Sequence, residues 1–533
     1  MQNITRRDFL KLFGVSAGAL AITGLTGCGV APFLEETAQP VRANSDFVPD
    51  VELQLTATDT QTSILPGQPT HVWKYDGAVL ATRGDGTSLQ TIPNSYLGPI
   101  IHAKRGQKIR IHLKNALGEP TIIHWHGLHV PPDMDGHPRY AIQPGQAYVY
   151  DFEIRNRAGT YWFHPHPHQR TGFQAYAGLA GLFLISDSEE TEANLPSGEF
   201  DVPLVIQDRA FNAANELVYI TNPMDQMMGF LGDRILVNGR PDFALNVATR
   251  AYRFRVLNGS NSRVYKLAWD DGTPLTVIAT DGGLLEKPVR RNYVTLGPGE
   301  RVELWTDFGN RRVGSELKLK SLAFSGAESG MMGGMMGGGM MGGGMMGSSN
   351  SALPNGAEFS ILRVKVDREV KDNTPLPERL STIQRYRLDD AINRQNPRAF
   401  GIGMQGMMTW TLNGRVFEME GVANDEIVKL NTLEAWEFAN QTNSMDQMVH
   451  PMHIHGVQFQ VVERQIAPQF QTVWETVRAG YVDEGWKDTV ALWPSERVKL
   501  LMRFEDFPGM FLYHCHNLEH EDQGLMRNYL IQA

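Results

Sequence analysis

Three segments of this chain repeat one another, and that repetition restricts the fold more than any other feature. Gln143-Pro144-Gly145-Gln146-Ala147-Tyr148-Val149, Gly297-Pro298-Gly299-Glu300-Arg301-Val302-Glu303 and Trp493-Pro494-Ser495-Glu496-Arg497-Val498-Lys499 each set a turn ahead of alternating apolar residues. Upstream of each lies a strand-like run ending in asparagine: Ile109 to Asn115, Tyr252 to Asn258 and Trp436 to Asn440. A further echo joins only the two ends, where Gly159-Thr160-Tyr161-Trp162-Phe163-His164 matches Gly509-Met510-Phe511-Leu512-Tyr513-His514. Repetition on this scale means three copies of one unit. The 533 residues suit about three domains of roughly 150 residues each. Short alternating runs between Pro/Gly turns, with few long helical patterns, predict an all-β chain of three consecutive Greek-key β-sandwich domains. They are placed at 45–190, 195–370 and 378–533, after a leader at 1–44. Residues 330–347, rich in Met and Gly, interrupt the second copy between Leu317-Lys318-Leu319-Lys320 and Phe359-Ser360-Ile361-Leu362. They read as an insertion at a hairpin tip.

The leader carries twin arginines, Arg6 and Arg7, followed by an apolar run from Leu12 to Leu25. This resembles a twin-arginine export signal, and the run is too short and too rich in Gly, Ala and Thr for a membrane span of about 20 residues. The expected location is the periplasm or cell envelope. Leu25-Thr26-Gly27-Cys28 also resembles a bacterial lipobox, which would anchor the chain through Cys28; a plain cut further on would discard that residue. With 42% hydrophobic and 20% charged residues the body can bury a sizeable core. A net charge of -10 leaves no basic footprint for nucleic acid and mildly favours cationic partners. A monomer is expected.

All 16 histidines lie within residues 71–168 or 450–520, so the first and third domains must supply any histidine site. Four clusters stand out: His124-Trp125-His126-Gly127, His164-Pro165-His166, His450-Pro451-Met452-His453-Ile454-His455-Gly456, and His514-Cys515-His516 followed by His520. Side chains at i and i+2 of a strand share a face, so each His-X-His pair is a two-pronged imidazole clamp. Eight imidazoles are too many for one ion and suit a small cluster of a borderline metal such as copper. Cys515 lies between His514 and His516 and must face the other way, so one strand touches two metal sites. On that opposite face His450 and His520 are the available imidazoles for a trigonal His2Cys copper. Structural zinc favours several cysteines in CxxC pairs, and this chain has two cysteines in all, Cys28 and Cys515.

These four segments, HxHG, HxH, HPxHxHG and HCHxxxH in that order, resemble the signatures of the multicopper oxidases, the family of laccases, bilirubin oxidases, ceruloplasmin-like ferroxidases and bacterial cuprous oxidases. The resemblance covers essentially the whole chain after the leader and implies cupredoxin-like domains and four copper ions. His124 and His453 would hold the type 2 copper. His126, His164, His166, His455, His514 and His516 would hold the type 3 pair, and His450, Cys515 and His520 the type 1 copper. Electrons from a reducing donor would pass from Cys515 to His514 or His516, and O2 would be reduced to water. The resemblance also points to Asp135 and Glu521 as proton-handling groups, against the plainer reading of two surface carboxylates. Leu525 stands where many bacterial relatives carry a weak axial methionine, which implies a higher type 1 potential, with Met526 next along the chain.

The donor is read from methionines. Eight of them lie in Met331–Met346 as pairs separated by glycines, and thioethers select Cu(I). Asp446 and Met448 precede His450 at the offsets where enterobacterial cuprous oxidases bind substrate copper, and Met404, Met407 and Met408 could add to that patch. Those relatives carry their Met-rich insert in the third domain, whereas here it lies in the second. Three readings follow: a cuprous oxidase, a laccase-like oxidase of phenols or other small organic donors, and a cupredoxin-fold protein that has lost its coppers. The complete ligand set weighs against the third, and length and four clamps weigh against a two-domain nitrite reductase.

Overall fold

A computed structural model describes residues 43–84, 87–327, 351–371, 374–406, 409–440 and 448–533. The threefold repeat is visible in the sheets. In the first, Val51–Thr62 pairs antiparallel with Thr70–Thr82 and parallel with Lys108–Asn115, which pairs antiparallel with Ala147–Glu153. The same order recurs with Asp201–Phe211, Arg234–Val237, Ala251–Asn258 and Arg301–Asp307. It recurs again with Arg398–Gln405, Thr409–Leu412, Thr432–Asn440 and Glu496–Phe504. A parallel pair cannot be joined by a tight hairpin, so the chain crosses to a second sheet between its members, which gives each unit two layers.

Alternation explains the packing. Along Lys108–Asn115, Ile109, Ile111 and Leu113 are buried, while Lys108 and Lys114 are exposed. Beside them, on the same face of the same sheet, lie Leu53, Leu55, Tyr148 and Tyr150. Each of these aliphatic side chains contributes roughly 1.5–3 kcal/mol through burial. The repeated asparagines close the corners. Asn115, Asn258 and Asn440 each donate a side-chain amide hydrogen bond to a carbonyl just before the repeated turn, those of Ile142, Leu296 and Leu492. This is the physical content of the repeat seen in the sequence.

The second unit departs from simple alternation. Every residue of Ala251–Asn258 is buried, because the face that would meet water lies against the first unit. There Arg255 bonds Thr160 and Glu303, and Arg253 bonds Glu190. The strands flanking the insertion, Glu316–Ser321 and Phe359–Arg368, are antiparallel partners. Among the described residues no helix is long and apolar enough to cross a membrane.

Candidate metal centres

Two strand pairs build the site. In the third unit His450–Ile454 runs antiparallel to Gly509–Cys515, with Met452 opposite Cys515 and His453 opposite His514. In the first, Ile123–His126 pairs with Gly159–Pro165, with His124 opposite His164. The eight histidines of the four pairs, none more than 1% exposed, meet in one chamber between these units. The rings of His124 and His455 stack at 3.6 Å, and those of His126 and His453 at 3.7 Å. Nε2 of His124 lies 3.3 Å from Nε2 of His453, and Nε2 of His455 lies 3.1 Å from Nε2 of His514. The ring nitrogens of His166, His455 and His514 gather within 4.8 Å of one another. His516 closes the other side, its ring 4.9 Å from His126 and 5.2 Å from His164.

The outer nitrogens are held by fixed acceptors, which sets the tautomers. Nδ1 of His124 bonds the Asp135 carbonyl at 2.7 Å, Nδ1 of His453 the Asp488 carbonyl at 2.8 Å, and Nδ1 of His164 the Pro165 carbonyl at 2.9 Å. A ring that donates from Nδ1 presents an Nε2 lone pair to the chamber. Burial depresses the imidazoles of His124, His453 and His164, the last to about 4, and keeps them neutral near pH 7. Neutral imidazoles with lone pairs turned toward one another repel unless a cation lies between them, so the donor set fits copper ions. Nε2 of His516 has no hydrogen-bond partner among the described residues.

The opposite face of the same strand carries the second site. Sγ of Cys515 lies 3.5 Å from Nδ1 of His450 and 3.7 Å from Nδ1 of His520. All three residues are fully buried. Burial pushes the thiol of Cys515 above its ordinary value and His450 down to about 3, so a thiolate requires a cation here. Trp410 covers both imidazoles, its ring 4.8 Å from His450 and 4.6 Å from His520. Leu525 is buried in the apolar cluster that holds Cys515, and its carbonyl accepts the Cys515 N–H at 3.0 Å. Met526 joins a different group, with Phe417 and Leu512.

Asp135 and Glu521 are not surface charges, being 1% and 2% exposed. Oδ2 of Asp135 accepts from Nδ1 of His455 at 2.7 Å, and burial pushes its carboxyl well above the usual range. Glu521 lies 3.1 Å from Nδ1 of His514 and 3.5 Å from Nε2 of His166. Met448 is buried and Met404 half-buried, both against the cluster around Cys515. Asp446, Met407, Met408, Cys28 and the Met/Gly-rich insertion lie outside the described residues.

Sequence reasoning missed one pair. Arg301 of the second unit is fully buried and grips Asp488 with two hydrogen bonds of 2.7 Å. It also donates to the carbonyls of Thr160 and Asp281. Oδ1 of Asp488 in turn lies 3.0 Å from Nε2 of His126. The glycine of the first clamp makes room: a Cβ on Gly127, whose φ is +86°, would lie 2.4 Å from Asp488 Oδ2 and 2.7 Å from Arg301 Nη2. The only trace in the sequence is that Arg301 lies in the second copy of the repeated segment, where it opens the strand Arg301–Asp307. Asp488 has no motif around it.

Two family models described as multicopper oxidase match residues 75–190 and 391–533. The chain is 32% identical to the multicopper oxidase mco of Staphylococcus aureus, over 81% of each protein. It is 30% identical to a laccase of Bacillus subtilis, over 86% of this chain and 90% of that one. The solved McoA multicopper oxidase of the hyperthermophile Aquifex aeolicus superposes with a TM-score of 0.74 at 34% identity, covering 91% of this chain and 97% of that one.

Asp488→Asn removes the charge that balances buried Arg301 and turns one of the two oxygens that face Arg301 and His126 into an N–H donor. It is expected to destabilise the fold by about 3–5 kcal/mol and to weaken copper retention in the chamber about 10- to 100-fold. Chemical denaturation and copper content after graded chelator dialysis measure the two effects. Retention within twofold of the parent would contradict the role given to Asp488.

Proposed function

This chain belongs to the multicopper oxidase family, which oxidises a reducing substrate at the expense of O2, and on that premise we propose that its substrate is Cu(I) in an exported compartment. His450, Cys515 and His520 are assigned to a type 1 copper. His124 and His453 are assigned to a type 2 copper, and His126, His164, His166, His455, His514 and His516 to a type 3 pair. Bound there, four coppers would supply one-electron acceptance at the first site and four-electron reduction of O2 to two waters at the other three.

The chain's own residues supply the route and the protons. Cys515 shares its backbone with His514 and His516, so an electron at its sulfur is a few covalent bonds from the chamber. Asp135 accepts the Nδ1 proton of His455, and Glu521 sits between His166 and His514. These carboxylates orient the rings and hold protons at the chamber wall. Leu525 offers no donor atom to the Cys515 site, and the missing thioether favours a higher type 1 potential.

One observation carries the choice of Cu(I). Ala327, the last described residue before the Met/Gly-rich insertion, accepts a hydrogen bond through its carbonyl from the N–H of Val449 at 3.2 Å, one residue from His450. On the returning side Arg263 donates to the Leu353 carbonyl at 2.8 Å and to the Gly232 carbonyl at 2.7 Å. Both roots thus belong to the described fold, and the first lies at the electron-entry histidines. This favours the insertion, with Asp446 and Met448, as a soft-ligand collector for Cu(I). The twin-arginine leader supports export, with Cys28 either acylated or removed. The laccase among the relatives supports a second reading, oxidation of small organic donors.

Oxygen uptake with Cu(I) and with a phenol, before and after deletion of residues 330–347, separates the readings. A loss of about tenfold or more in Cu(I) turnover alone is expected, and equal losses with both donors would favour the organic-donor reading. Leu525→Met should lower the type 1 potential in redox titration; an unchanged or raised potential would refute the place given to Leu525.

A further inference from the structure

A second methionine cluster lies on the second domain, outside the insertion. Pro223–Met228 is a short helix capped by Asn222, whose side chain accepts from the N–H groups of Met224 and Asp225. Asp225 is fixed by Thr221, whose N–H and hydroxyl both donate to Oδ2 at 2.7 Å. The spacing of Met224, Met227 and Met228 sets three thioethers on one helix face. Met224 is 39% exposed, and Met228 is half-buried against the apolar cluster around Cys515.

This helix touches the entry histidine directly. Nε2 of His520 donates to the Met227 carbonyl at 2.9 Å, while Nδ1 of the same ring faces Cys515. The Gln523 side-chain amide donates to the neighbouring Gln226 carbonyl. The helix leads to Gly232, whose carbonyl takes Arg263 and lies 3.4 Å from the Ser351 hydroxyl at the returning root of the insertion. The sequence adds an independent echo: Asn222-Pro223-Met224-Asp225-Gln226-Met227 repeats Asn443-Ser444-Met445-Asp446-Gln447-Met448 in five of six positions. One copy precedes His450, and the other caps His520.

We propose that Met224, Met227 and Met228 form a Cu(I) docking site that delivers electrons to His520. This rests on the Cu(I) reading of the enzyme and adds a site on the second domain. Soft thioethers hold Cu(I) and hold Cu(II) poorly. A docked Cu(I) would give one electron to the copper that His450, Cys515 and His520 would hold, across the hydrogen bond from His520 to the Met227 carbonyl, and would then be released as Cu(II), which the thioethers hold poorly.

Ag(I) has the same thioether preference and is not oxidised, so it reports binding without turnover. Copper-loaded protein lacking residues 330–347 is titrated with Ag(I) by calorimetry, with and without Met224→Leu/Met227→Leu. Met224→Leu alone, at an exposed position, guards against a folding defect in the pair. The expected result is one tight Ag(I) per chain lost in the double variant and a weakened one in the single. In the full chain the double variant should also raise KM for Cu(I) about tenfold. Unchanged Ag(I) stoichiometry and affinity in both variants would overturn the site. Absence of Cu(I) turnover in the parent would instead defeat the substrate reading, leaving the Ag(I) result to decide whether the site exists.

Discussion

The register between His450–Ile454 and Gly509–Cys515 is the constraint on which the two centres depend. With Met452 opposite Cys515 and His453 opposite His514, the two clamps of the third domain face the chamber, and the cysteine faces His450 and His520. A one-residue slip would send each side chain to the other face. It would put an imidazole where the sulfur belongs at one centre and the sulfur where imidazoles belong at the other. The Leu525 carbonyl on the Cys515 N–H and the pairing of His514 with Met526 hold the strand from its other edge.

The middle domain provides none of the histidines, yet the chamber is not complete without it. Arg301 reaches across the junction to Thr160 of the first domain and Asp488 of the third, and Gly299 lies so close to His516 that a Cβ would be 3.0 Å from the ring. Burying such a pair is costly unless every hydrogen bond is made, and Arg301 makes them. The same domain roots the Met/Gly-rich insertion beside Val449 and caps His520 with the Met227 carbonyl. Its part is to brace one centre and to furnish the approach to the other.

How far the sequence revealed this follows from which interactions are local. The turns and the i, i+2 clamps are set by neighbours a few residues apart. The asparagine corners, though they close over 27, 38 and 52 residues, recur at matching places in the three copies, so spacing and repetition exposed the threefold sandwich and the faces of His514, Cys515 and His516. The family resemblance added which histidines share an ion, since no spacing says that His124 meets His453. The contacts of Arg301 with Asp488, and of Met227 with His520, join residues 187 and 293 positions apart. They leave no periodic trace, because a buried arginine on a strand reads as an exposed one until another domain covers it. The resemblance also singles out Asp135 and Glu521, which spacing alone leaves as surface charge until the chamber closes over them.

The central claim is that one strand serves two copper centres, and copper analysis with visible spectroscopy on the parent and Cys515→Ser tests it most directly. The parent is predicted to hold about four coppers per chain with an intense blue band, and the variant about three with no blue band. A blue band that survives loss of the thiolate, or a fully loaded parent without one, would contradict the account.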